Sequence, residues 1–121
     1  EWVDKFQIKT GSLQTKTQYL SGGNLQKLIV ARELAHATPL LLAVEPTRGV
    51  DVGAMETIHG ELIARRDDGA GVLLVSSELT EILKLSDRVL VMFEGRIAGE
   101  LPAEEATEEK LGLLMAGGSL Q

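Results

Sequence analysis

Cysteine is absent from all 121 residues. Without a thiol, neither a disulfide framework nor a thiolate metal site can form, and an intracellular location is allowed without being required. Long apolar runs are absent as well. The longest, residues 39–44 and 72–75, fall far short of the ~20 residues a membrane-spanning helix needs, and no secretory pattern opens the stretch. Positive charge is scarce: 12 Lys and Arg stand against 18 Asp and Glu, for a net charge of −6. The imbalance is local, since residues 1–60 hold six basic and six acidic side chains and residues 61–121 hold six basic and twelve acidic. An acidic second half with no basic stripe argues against nucleic acid as a partner. The two histidines, His36 and His59, have no carboxylate or cysteine at metal-ligand spacing, so both are expected at the surface or at helix ends. A phosphate-cradling loop is missing too. Residues 11–17 (GSLQTKT) approach the G-x-x-x-x-G-K-[ST] pattern, but Thr15 stands where the second glycine belongs, the spacing is one residue short and no apolar strand precedes it. The segment reads as a solvated connector.

What is present suffices for one core, because a chain of this length with 44% hydrophobic residues has the size of a common single domain. Residues 1–19 read as an irregular lead-in with a break at Gly11-Ser12, like the tail of something that begins earlier. Residues 21–37 carry Leu25, Leu28, Ile29, Leu34 and Ala35 at helical spacing, with Lys27, Arg32 and Glu33 off that stripe. Pro39 stops this helix, because proline disfavours helical backbone in the residue before it. The run Leu40-Leu41-Leu42-Ala43-Val44, with a proline on each side, predicts a strand buried on both faces of a parallel sheet. Residues 45–51 then lie at the carboxyl end of that strand, where open α/β sheets place ligands. Asp51 suits the N-cap of a helix reaching about Arg66, with Val52, Met55, Ile58, Leu62 and Ile63 toward the core. A turn at 67–71 leads to a second buried strand, 72–75, after which Ser76-Ser77-Glu78 should cap a short helix to about Leu85. Residues 88–93 and 96–100 alternate as strands around a tight Glu94-Gly95 turn. An acidic loop follows, then a helix capped by Thr107 that runs through Met115 and ends at Gly117-Gly118. The order of elements is α/β.

The stretch with the most chemistry is Leu20-Ser21-Gly22-Gly23-Asn24-Leu25-Gln26-Lys27, at the start of the first helix. Ser21 can cap the helix or ligate an anion, and the two glycines let backbone N–H groups come close to one. The helix dipole adds a preference for negative charge. Plain capping explains such a turn when it stands alone; the residues after it give it context.

Taken in order, residues 20–26, Ala31-Arg32-Glu33-Leu34-Ala35, the strand into Glu45-Pro46-Thr47, Asp51, the strand into Ser76-Ser77-Glu78, Ser86-Asp87-Arg88 and Glu94-Gly95-Arg96 resemble the C-terminal part of an ABC transporter nucleotide-binding domain. The resemblance runs from Tyr19 to about Leu101. The wording of residues 46–54 and 75–79 is most similar to the second ATP-binding half of bacterial importers for simple sugars and nucleosides. It implies a partial P-loop NTPase (ABC ATPase) fold: a parallel sheet core flanked by helices, with a C-terminal β-hairpin and without the Walker A strand and loop. It also implies one domain fragment over 1–121, with 1–19 as lead-in, 20–101 as the signature-to-C-terminal part and 102–121 as C-terminal helix and tail.

The same resemblance implies roles. Ser21, Gly22, Gly23 and Asn24, with Gln26, match the signature motif, which in a closed dimer presses on the γ-phosphate of ATP held by the opposite domain; Asn24 stands where the family commonly has Gln. Asp51 matches the loop that crosses the dimer interface. Glu45 matches the carboxylate that orients the attacking water; the plainer reading is an acidic residue at a strand end. The family's magnesium-serving aspartate is replaced by Val44 and its γ-phosphate-sensing histidine by Ser77, so Glu45 lacks both partners. A strand ending Ala43-Val44-Glu45 is more like the nucleoside-type importers. The implied cofactors are ATP shared with a partner domain and Mg2+ held through that domain, with no metal site in this chain. The implied partners are the N-terminal nucleotide-binding domain of the same transporter and the transmembrane permease subunits, at the cytoplasmic face of the membrane. A catalytically silent dimerisation or regulatory module with the same fold is the alternative. Because the two strands lack the neighbour that would carry a phosphate loop, an exposed apolar sheet face and edge are expected, with self-association or rearrangement to cover them.

Overall fold

The computed structural model of the chain describes residues 22–36 and 38–120, with side chains from Leu25 onward. The lead-in, the loop-like segment 11–17, Leu20 and Ser21 therefore lie outside the described residues. The chain divides into two units, one ending at Val75 and one beginning at Ser76.

In the first unit, α1 (Gly22–Leu34) leads to β1 (Leu40–Val44), then α2 (Val52–Asp67) and β2 (Gly71–Val75). The strands pair in parallel, with Leu40 opposite Gly71, Leu42 opposite Leu73 and Val44 opposite Val75. Backbone bonds extend the ladder at both ends, from Gly71 N to Pro39 O (2.8 Å) and from Glu45 N to Val75 O (2.7 Å). The parallel core is thus present among the described residues as a two-stranded sheet.

Burial corrects the expected faces. On α1 the buried side chains are Lys27, Val30, Ala31 and Leu34, while Leu25 and Ile29 are exposed. This is an i, i+3, i+4, i+7 series rotated away from the leucine stripe. It is available because Lys27 can lay its stem along the apolar surface and still find a partner for its ammonium. The helix stops at Leu34 rather than at residue 37. There Arg65 of α2 donates from Nη1 to Leu34 O (2.7 Å) and from Nη2 to His36 O, occupying carbonyls that a helix end leaves unpaired.

On β1, Leu41 and Ala43 are buried but Leu40, Leu42 and Val44 are 57–63% exposed; on β2, Leu73 and Val75 are exposed as well. The expectation of strands buried on both faces therefore fails: the opposite face carries no cover among the described residues. The register sets Leu42 beside Leu73 and Val44 beside Val75, so the exposed face is continuous. On α2, Asp51 caps as expected, accepting from Ala54 N at 2.8 Å. The buried face is Ala54, Ile58, His59 and Leu62, while Val52 is exposed and Met55 and Ile63 are half-buried. His59, expected at the surface, lies mid-helix and is 4% exposed; His36 is exposed as expected.

The second unit holds α3 (Leu79–Leu85), the hairpin β3 (Arg88–Phe93) and β4 (Arg96–Pro102), a 3-10 turn at Ala103–Glu105 and α4 (Glu108–Met115). The α3 start also differs from expectation. Glu78 holds the cap position without a side-chain cap bond, and Ser76 Oγ instead accepts from Glu78 N at 3.0 Å. The Glu94-Gly95 turn forms as expected, with φ of 48° and 78°; positive φ at both central positions matches the right-handed strand twist and costs glycine nothing. Ala98 is an extra residue in β4, where the register shifts between Val91 and Met92. Val89, Val91, Leu101, Leu111 and Leu114 form the core of this unit, with Leu79, Ile82 and Leu83 packed against it. Thr107 caps α4 by accepting from Lys110 N at 3.1 Å. No helix among the described residues is long and apolar enough to cross a membrane.

Candidate functional site

Two segments that lie apart in sequence meet at the carboxyl end of β1: the first turns of α1 and the loop of residues 45–51. The loop leaves the strand through Glu45, whose φ of +46° is left-handed backbone that a non-glycine residue adopts at a cost of about 1–3 kcal/mol unless its surroundings hold it there. Those surroundings are visible. Glu45 N donates to Val75 O at 2.7 Å, and Gln26 of α1 donates from Nε2 to Glu45 O at 3.0 Å and to Pro46 O at 3.2 Å. Pro46 and Thr47 are buried beneath the turn. Arg48 N bonds to Glu45 O and Val50 N to Thr47 O, both at 3.3 Å, and Gly49 supplies a φ of 76° that completes the reversal.

The loop ends at Asp51, which works in two directions. Its Oδ1 takes the N–H of Ala54 and starts α2, and its Oδ2 lies 3.1 Å from Lys27 Nζ. Lys27 is 4% exposed, while the Asp51 side chain is 60% exposed, so the ion pair has one foot inside and one in water. The structure thus brings Gln26, Glu45 and Asp51 into one neighbourhood. Gly22, Gly23 and Asn24 form the first turn of α1. Ser21 lies outside the described residues.

Two features define what this end of the unit can do. The first turn of α1 has no acidic side chain, whereas α4 opens with Glu108 and Glu109. The positive end of the α1 dipole is therefore not offset by its own residues, and backbone N–H groups at a glycine-containing helix start suit a phosphate oxygen. The residue before Glu45 is Val44, apolar and more than half exposed, and no group of three His, Cys, Asp or Glu capable of holding a metal ion occurs among the described residues. Beside Glu45, Val44 offers no oxygen donor to a magnesium ion.

Lys27 is the residue that the leucine stripe concealed; the signal was present in the spacing of Lys27, Val30, Ala31 and Leu34. Thr47, buried under the loop, had no comparable signal.

No family model matches the chain. Curated relatives do. It is 50% identical over 115 residues to the guanosine import ATP-binding protein NupO of Bacillus subtilis, covering 95% of this chain and 22% of that protein. It is 51% identical over 118 residues to the ribose import ATP-binding protein RbsA 1 of Rubrobacter xylanophilus, covering 97% and 24%. The chain thus spans about a quarter of the length of the relatives it matches. Among solved structures, it is similar to the dimeric post-hydrolysis state of an ATP-binding cassette bound to ADP and Pi, at a TM-score of 0.74 and 25% identity over 84% of this chain and 44% of that one. With sequence and fold in agreement, the chain belongs to the family of ABC transporter ATP-binding proteins and matches a partial, C-terminal region of them.

Proposed function

We propose that this chain is the part of a nucleoside or simple-sugar importer's ATPase that acts in trans, offering its signature turn and Asp51 to an ATP bound by a partner domain. The observation that carries this reading is the direct contact of α1 with the 45–51 loop through Gln26 and Lys27. A stretch that resembles the family's signature motif is joined through Gln26 and Lys27 to one that resembles its interface loop. In this reading the signature turn, Ser21 to Asn24, serves the γ-phosphate of the partner's ATP, and Asp51 serves the same partner site. ATP would supply the phosphoryl group, and the partner domain would hold that ATP together with its Mg2+. Glu45 stands next to Val44 where the family carries its magnesium-serving aspartate, so any water-orienting role of Glu45 goes without that partner. The partners are the N-terminal nucleotide-binding domain and the permease subunits, at the cytoplasmic membrane face.

The apolar Val44 also suits the alternative, a catalytically silent dimerisation or regulatory module with the same fold, because it leaves Glu45 without an adjacent aspartate. The test is ATP binding and hydrolysis by the purified chain alone. Neither should exceed background, and sustained turnover by the chain alone would overturn the reading.

A further inference from the structure

The Gln26 and Lys27 contacts have a role beyond packing. We infer that these two side chains are positioning residues that lock the 45–51 loop to α1, so that the phosphate-facing helix start and Asp51 move as one rigid piece. Three facts converge. Gln26 bridges two successive carbonyls, Glu45 O and Pro46 O, at the point where the backbone is forced into positive φ. Lys27 reaches the far end of the same loop, so the loop is held at both ends from adjacent positions on one helix. Asp51 is shared: the carboxylate that answers Lys27 also caps α2, which ties the second helix into the same piece. A buried lysine is costly to keep unless its ammonium is answered. Keeping it at this position exchanges apolar packing for a fixed distance between two segments.

This inference rests on the proposed trans role for its functional meaning, but the lock can be measured without it. Amide hydrogen exchange on the intact chain reports the loop through Arg48 N and Val50 N, which are bonded within it. Lys27→Met should speed exchange at these two amides about tenfold, the scale of losing one hydrogen bond to a charged group, while the amides of Ile58 and Leu62 in α2 stay unchanged. Lys27→Arg should restore protection. Gln26→Leu should give the same local loosening at Arg48, and serves if Lys27→Met folds poorly. Unchanged loop exchange in both variants, or acceleration spread evenly through the unit, would overturn the lock. A second arm adds the chain to a cassette that holds ATP on an intact phosphate loop: Lys27→Met should lower kcat with the KM for ATP unchanged. If the wild-type chain itself fails to stimulate that cassette, the trans role falls, while the exchange data still decide the lock.

Discussion

Lys27 Nζ lies 3.1 Å from Asp51 Oδ2 across 24 positions of chain, with the lysine almost wholly buried and the aspartate mostly in water. The two partners therefore carry unequal consequences. Removing the lysine leaves an exposed carboxylate that water solvates readily; removing the aspartate withdraws a charged partner from an ammonium inside the protein.

This asymmetry is measurable by urea unfolding. Lys27→Met keeps the apolar stem and should change stability by less than about 1 kcal/mol. Asp51→Ala removes the ion partner and the α2 cap together, and the cap alone is worth about 1 kcal/mol. A loss of about 2–3 kcal/mol is expected in total. Equal effects from the two substitutions would contradict the geometry.

Gly99 answers a different constraint. A Cβ built there would lie 2.8 Å from Leu114 Cδ1, and Leu114 is a fully buried member of the second unit's core. Gly99→Ala should cost about 1–3 kcal/mol, the usual penalty for overpacking a filled site. At Gly112, an exposed mid-helix position where nothing stands within 4 Å of such a Cβ, the same change should stabilise by up to about 1 kcal/mol. Thermal melts of the two variants separate these outcomes.

The exposed sheet face should govern behaviour in solution. Leu40, Leu42, Val44, Leu73 and Val75 are all exposed on adjacent, paired strands, and a contiguous apolar patch of this kind drives association. Sedimentation should show self-association that weakens with Leu42→Lys and with Leu73→Lys. A wild-type chain that stays monomeric at high concentration would refute the expectation.

The sequence made the order of elements, the parallel pairing, the Asp51 and Thr107 caps and the Glu94-Gly95 turn readable, because each depends on local chemistry: a polar cap, an apolar run, a glycine at positive φ. Faces were harder. Residues 25–35 contain two overlapping helical series, and contacts with distant segments, such as Asp51 24 positions away, set Lys27 inside while Leu25 stays exposed. The strands misled for a related reason. A continuous apolar run predicts cover on both faces, but cover is a property of neighbouring elements that these five residues cannot report. At the site, Glu45 and Asp51 stood out as residue types at a strand end and a helix start. Gln26 belongs to the motif, but its bonds to Glu45 O and Pro46 O depend on how α1 packs beside β1.

In the proposed role this chain acts on a nucleotide held elsewhere. The direct measurement is ATP hydrolysis by a cassette that has an intact phosphate loop and a disabled signature turn, with and without this chain. Addition of the chain should raise the rate, and Ser21→Arg should abolish the gain, by about a hundredfold if the turn supplies donors to charge developing in the transition state. A rate unaffected by the chain, or a gain that survives Ser21→Arg, would contradict the account.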